Sequence, residues 1–251
     1  VHNLVIDIGN TNPKVGVFKD RTMVHAQVLK QITPDVILDF IKQYEIAGST
    51  ISSVGPELEE VIGVLKANTT YIPFSTGINI GIKNNYKTPS TLGLDRWAKV
   101  IAAHRYYQGK NCFIVDAGTC IVYDLLNAQS EYFGGSISLG IDMRFKALNH
   151  YTGRLPLVDW DREEGEVPEG TDTITAIQSG VLQGVINEVE GFITQQNNKN
   201  NDLTVLITGG SATFLLKQLK NSIFAPQITH EPYLVLRGLN EVIAFEYVQK
   251  N

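Results

Sequence analysis

The chain is 251 residues long, 43% hydrophobic and 19% charged, the balance of a folded globular protein rather than a disordered one. Its formal net charge is -5 and its pI about 5.6, and no block of Lys and Arg offsets this, so nucleic acid is not expected as a partner. No stretch approaches the roughly 20 consecutive apolar residues that span a bilayer, so no membrane association is expected either.

Residues 4–8 read as a strand in which Leu4, Val5 and Ile6 run into Asp7; lacking a basic leader, this opening is not a signal peptide. A turn at 10–13 leads to strands at 14–18 and 23–29, an antiparallel meander. In 34–44, Val36, Ile37, Phe40 and Ile41 recur at helical spacing behind Thr33, a residue type that caps helices. A strand at 50–54, a helix at 57–66 and a strand at 71–74 alternate as β-α-β. The stretch 83–90, rich in Asn, Thr and Pro, reads as a loop before a helix over 94–107 with Trp97, Val100, Ile101 and Ala102 on its core face. Beyond Gly109 the pattern restarts, with strands at 112–116, 121–126 and 132–137. Three strands then helices, twice over, predicts a duplicated α/β fold with domains 1–108 and 109–251. A helix over 142–151 precedes a Pro-, Gly- and acid-rich loop at 153–170. Ile174, Ile177, Val181, Val185, Val189 and Phe192 mark a long helix over 173–195. A polar connector at 195–201, a strand at 203–208, a helix at 213–219, short strands and a helix at 236–248 complete the chain.

Two short phrases repeat in matching places: Asp7-Ile8-Gly9-Asn10-Thr11 and Asp116-Ala117-Gly118-Thr119, each at the end of an apolar run. An acidic residue at a strand end, a Gly turn and a hydroxyl suit the grip on a metal-bound triphosphate. Gly lets backbone N–H groups approach the phosphate, Thr donates to it, and the carboxylate faces the cation. Singly, each is a common turn sequence; as a pair they suggest a duplicated nucleotide-binding fold. Gly209-Gly210, between a strand and a helix, is either a tight turn or a place where adenosine approaches the backbone, and the paired phrases favour the second. Gly134-Gly135 through Gly140 is either a bulged turn or a Gly-lined wall near the phosphates.

Asp95 stands in a first helical turn, where it could simply complement the helix dipole, and Arg96 could be a plain ion-pair partner. Beside an irregular loop, however, Asp95 could take a proton from a substrate hydroxyl while Arg96 forks onto a substrate carboxylate. His104 and His150, among apolar neighbours, read as structural. No His/Ser pairing argues for a hydrolase triad. Cys112 and Cys120 read as buried reduced thiols, since no Cys/His cluster has metal-ligand spacing, and a cytosolic location is expected.

Taken in order, these pieces resemble type III pantothenate kinase, within the acetate and sugar kinase, chaperone and actin superfamily. Asp7-Ile8-Gly9-Asn10-Thr11, with Asn12, Pro13 and Lys14, is similar to the family's first phosphate motif. Tyr86, Pro89 and Leu92-Gly93-Leu94-Asp95-Arg96 resemble its pantothenate-binding stretch, and Asp116-Ala117-Gly118-Thr119 with Asp124 its second phosphate motif. Gly134 to Gly140, Leu148, Thr152 and Leu155-Pro156 look like the next signature. Thr173 to Gly180 is similar to the segment that reaches the substrate of a partner subunit. The family pattern usually has Thr where Val122 stands, a small residue at Cys120 and Asn at Asp172.

The resemblance implies duplicated actin-like (ribonuclease H-like) domains with mixed sheets and a nucleotide cleft between them. It implies transfer of the ATP γ-phosphoryl group to pantothenate, with Asp95 as base. Tyr86, Gly93, Leu94, Arg96 and Thr173 would bind substrate; Asp7 to Lys14 and Thr119 would bind ATP. Asp7 would lie near Mg²⁺, Asp116 would hold a monovalent cation (K⁺ or NH₄⁺), and a homodimer would share its active sites. Another small-molecule kinase of the superfamily, or a non-catalytic nucleotide-binding regulator, is the alternative.

Overall fold

The computed structural model describes residues 1–9, 12–53, 58–78, 80–162, 165–200 and 202–250. They group into two units, Val1–Gln108 with Ser130–Tyr132 and Tyr233–Asn251, and Gly109–Gln129 with Phe133–Pro232.

In the first unit, β1 (His2–Ile8), β2 (Pro13–Lys19) and β3 (Thr22–Val28) form the predicted meander. α1 (Pro34–Tyr44) starts at Thr33, whose hydroxyl accepts from the Val36 N–H at 3.4 Å. It ends at Glu45, whose left-handed backbone (φ 51) stops the helix within one residue. The chain therefore enters β4 (Ile46–Ile51) at once, earlier than the strand expected from 50; Val54, in that expected strand, lies outside the described residues. α2 (Glu59–Asn68) follows, and β5 is only Thr70–Tyr71 rather than the four residues expected. The sheet order is β3-β2-β1-β4-β5, with β1, β2 and β3 antiparallel and β4 and β5 parallel to β1. Leu4, Ile6, Val15, Val17, Ile37, Ile51 and Leu65 fill its core. The loop expected at 83–90 contains a two-residue strand, β6 (Lys83–Asn84), and a 3-10 turn at Pro89–Thr91. α3 (Leu94–Tyr106) follows, buried from Arg96 to Ala103.

The second unit repeats the plan. β7 (Asn111–Ala117), β8 (Cys120–Leu126) and β9 (Glu131–Leu139) precede α4 (Ile141–Tyr151) and the long α5 (Thr173–Asn197). β10 (Leu203–Thr208), α6 (Ala212–Leu219) and β11 (Ile228–His230) follow. The order β9-β8-β7-β10-β11 matches that of the first sheet, again with two strands parallel to the central β7 or its neighbour and a hairpin antiparallel. Phe113, Val115, Tyr123, Val181, Val185, Val205 and Phe214 lie in its core. The first two residues of β9, Glu131 and Tyr132, pair with β6 and are grouped with the first unit.

α7 (Leu234–Lys250) returns to the first unit. This differs from the expected 109–251 domain, and the reason is packing. α7 lies along α3 and β1, and Gly238 sits so close to α3 that a Cβ there would overlap the Ala98 carbonyl. Buried Asn240 ties it down further, accepting from Asn3 Nδ2 at 2.9 Å and donating to the Asp20 carbonyl at 2.8 Å.

Candidate active site

In the first unit, β1 carries Asp7 to its end. Asp7 is 8% exposed and pairs in register with Lys14 on β2. Ser52, one residue beyond β4, extends the parallel ladder through its N–H to the Ile6 carbonyl at 2.9 Å. This places its hydroxyl to donate to Asp7 Oδ1 at 2.6 Å. Burial pushes the Asp7 carboxyl above the ordinary range; the Ser52 bond opposes this, Asp95 adds to it, and Lys99 and Lys14 oppose it. Gly9 follows, with no atom of the described residues within 4 Å on its Cβ side. Asn10 and Thr11 lie outside the described residues; Asn12 is exposed and Pro13 opens β2.

α3 starts at Gly93, whose carbonyl accepts the first helical bond from Trp97 N–H at 3.1 Å. Asp95, in the first turn, is held at Oδ2 by Lys99 Nζ at 2.9 Å. Burial alone would raise the Asp95 carboxyl, but the Lys99 charge and hydrogen bond, with the Arg96 backbone N–H and charge, bring it below the ordinary range. The Arg96 guanidinium lies over the Tyr86 ring at 5.5 Å. Tyr86 stacks on Tyr132 at 6.1 Å, and Tyr132 packs against Trp97 at 5.9 Å. An aromatic shelf thus orients the Arg96 fork at the helix start, next to Leu94, which is half-buried.

In the second unit, Asp116 sits one residue before the end of β7, in register with Val122 on β8 and Thr208 on β10. The turn after it is closed by Gly118 N–H to the Cys120 carbonyl at 3.1 Å, and Gly140 N–H reaches the Thr119 carbonyl at 3.1 Å. A Cβ at Gly140 would overlap the carbonyls of Gly118 and Thr119. Gly209, at φ +94, would place a Cβ 2.5 Å from Asp116 Oδ1. Close backbone packing therefore requires Gly at both positions, whatever ligand contacts they also make. Asp124 is buried on β8. Cys112 is buried, and burial raises its thiol to about 12. Cys120 is only half-buried, against the expectation; its thiol points to the Met143 sulfur at 3.9 Å.

Thr173 opens α5 and is exposed. It does not cap the helix: Asp172 accepts from Ile174 and Thr175 N–H at 2.9 and 3.0 Å, and Thr175 Oγ1 accepts from Asp172 N–H at 3.1 Å. Thr173 instead lines an apolar groove of about 830 Å³ with Leu139, Leu148, Leu155, Ile177 and Val181.

A family model described as type III pantothenate kinase matches residues 3–195. The chain belongs to the type III pantothenate kinase family. It is 38% identical over 245 residues to the type III pantothenate kinase of Bacteroides fragilis (strain YCH46), covering 97% of this chain and 98% of that one. It is 38% identical over 256 residues to that of Christiangramia forsetii, covering 98% and 100%. Among solved structures, the activator of the 2-hydroxyisocaproyl-CoA dehydratase from Clostridium difficile with bound ADPNP superposes with TM-score 0.53 at 11% identity. That match covers 100% of this chain and 97% of the other, and at this identity it speaks for the duplicated actin-like fold alone.

Within the family's first unit, the chain brings Asp7, Lys14 and Asp95 into one electrostatic neighbourhood and sets Arg96 on Tyr86. Two residues of that neighbourhood escaped the sequence reading. Ser52 lies 45 positions from Asp7, with no local signal. Lys99 had one: a lysine four residues after Asp95, inside an otherwise apolar helical face.

Proposed function

We propose that the chain transfers the γ-phosphoryl group of ATP to the primary hydroxyl of pantothenate, giving 4′-phosphopantothenate in coenzyme A biosynthesis. The observation that carries this reading is the Asp95 carboxylate, ionised at neutral pH and fixed by Lys99 beside the Arg96–Tyr86 pair. Asp95 accepts the hydroxyl proton as the hydroxyl oxygen bonds to the γ-phosphorus and the bond to the β–γ bridging oxygen breaks, releasing ADP. Arg96 binds the pantothenate carboxylate as a planar fork, with Tyr86, Gly93 and Leu94 around it. Gly9 to Lys14 bind the ATP phosphates, and Thr119 contacts ATP. Positioning and charge neutralisation dominate such a transfer.

Asp7 fits a neighbouring Mg²⁺. It is a hard oxygen donor with Ser52 fixing one carboxylate oxygen, and the cation, when bound, neutralises phosphate charge. Asp116, a carboxylate beside the Gly118 and Gly209 turns, offers an oxygen donor to a monovalent cation. We further assign a cytoplasmic location and a homodimer in which Thr173 serves the partner's site. The apolar groove that Thr173 lines, with exposed Leu139 and Tyr151 on its walls, supports the dimer.

ATP consumption measured with pantothenate, simple sugars and acetate tests the reading. Turnover is expected with pantothenate alone, falling about 10²–10⁴-fold in Asp95→Asn. Turnover on a sugar or acetate instead would assign another kinase, and nucleotide binding without turnover would identify a regulator.

A further inference from the structure

Lys99 has no exposed side-chain surface. It lies on α3 between Ala98 and Val100, both fully buried. A buried ammonium persists only against compensating partners, and here one partner is Asp95, one helical turn back, at 2.9 Å. The pair is asymmetric: the Asp95 side chain is 47% exposed while that of Lys99 is 0%. The two carboxylate oxygens are also distinguished. Oδ2 accepts the hydrogen bond from Lys99 Nζ, while Oδ1 lies over Gly93, 2.7 Å from where a Cβ would stand.

We infer that Lys99 is a positioning residue for phosphoryl transfer: it fixes the Asp95 carboxylate through Oδ2 from the dry side of α3, so that Oδ1 is presented to the substrate hydroxyl. The inference rests on the reading of Asp95 as base. An i,i+4 ion pair on a helix surface leaves both long side chains in solvent; the Lys99 side chain, with no exposed surface, has no such freedom. Among the described residues, Arg96 on the same helix and Asp7 on β1 also act on this neighbourhood, with Lys14 on β2 acting on Asp7. On α7, Glu241 and Arg237 face Arg21, Arg105 and Tyr106, at the far end of α3.

Steady-state kcat and KM are to be measured for the parent, Lys99→Met, Asp95→Asn and the double variant, each checked by thermal melting. Methionine keeps the apolar stem and removes the charge. The expected result in Lys99→Met is a kcat lower by about 10- to 100-fold, the scale of a misplaced reacting group, with both KM values within about threefold. Added to Asp95→Asn, the same substitution should cost no further activity, because both act through one carboxylate. If Lys99→Met fails to fold, Lys99→Gln, which keeps a donor without the charge, carries the same comparison. A Lys99 variant with parental kcat beside an impaired Asp95→Asn overturns the inference alone. So does a loss that appears in KM, or one equally large in the Asp95→Asn background. Parental kcat in Asp95→Asn removes the base reading itself, and the inference with it.

Discussion

Gly93→Ala separates the position of the Asp95 carboxylate from the stability of the helix that bears it. The backbone at Gly93 (φ -58, ψ 135) is open to alanine, so no strain follows from the main chain. The new Cβ would stand 2.7 Å from Asp95 Oδ1, with Arg96 Cγ and Cδ at an ordinary 3.8 Å. Carbon–oxygen contact relaxes to about 3.4 Å, so the carboxylate must retreat by about 0.7 Å. For a short side chain this costs about 0.5–1.5 kcal/mol of torsional strain. It also stretches the 2.9 Å Lys99 bond and moves the base off its line. A displacement approaching 1 Å costs on the order of 10²-fold in rate, about 2.7 kcal/mol of barrier. Coupled ADP-release kinetics should show that loss in kcat. Melting should shift by only about 2–6 °C, by the usual scaling for a chain of this size. Parental kcat, or a melting temperature lowered by more than about 10 °C, would refute the argument.

Three other expectations follow, two from the proposed cation site and dimer and one from packing. Activity should rise when K⁺ or NH₄⁺ replaces Na⁺ at constant ionic strength, and Asp116→Asn should lose that response; equal rates in Na⁺ and K⁺ would show the cation site is not used. Asp95→Asn and Thr173→Val should complement in a purified heterodimer, recovering up to about half of parental activity by two-fold symmetry; a heterodimer no better than either homodimer removes the shared site. Gly238→Ala should overpack the contact of α7 with the Ala98 carbonyl, costing roughly 3 kcal/mol and about 6–12 °C of melting temperature; an unchanged melting curve would show that the two backbones do not touch.

What the sequence made legible was local. Thr33 before Pro34 marked the start of α1, and the apolar face of 94–107 marked α3, because capping and helical period are written in neighbouring residues. The repeated strand plan was visible for the same reason. What escaped depends on residues distant in sequence. β6 exists only because Lys83 and Asn84 meet Glu131 and Tyr132, and the two-residue β5 only because β4 lies beside it. The early start of β4 follows from the backbone of Glu45, a residue whose type does not favour a positive φ. At the site, the Asp95–Arg96 pair stood out through its place before an apolar helix. Its supports did not: Ser52 reaches Asp7 from 45 positions away, and Lys99 carried only the signal of a lysine inside an apolar helical face. At α5 the cap is the Asp172 carboxylate, which reaches both open N–H groups of the first turn.

The return of α7 to the first unit has a consequence for biogenesis. Synthesis delivers residues 1–108, then nearly all of the second unit, and only then the helix that covers α3. A nascent chain can complete the second unit while the first still exposes the apolar flank of α3. Joining α7 to that flank closes a loop of roughly 120 residues, an entropic cost on the order of 4 kcal/mol if the intervening chain is slack. Prior folding of the second unit shortens the slack and so lowers that cost. Assembly is thereby biased toward docking α7 on α3 last, with the backbone contact at Gly238 completing the first unit.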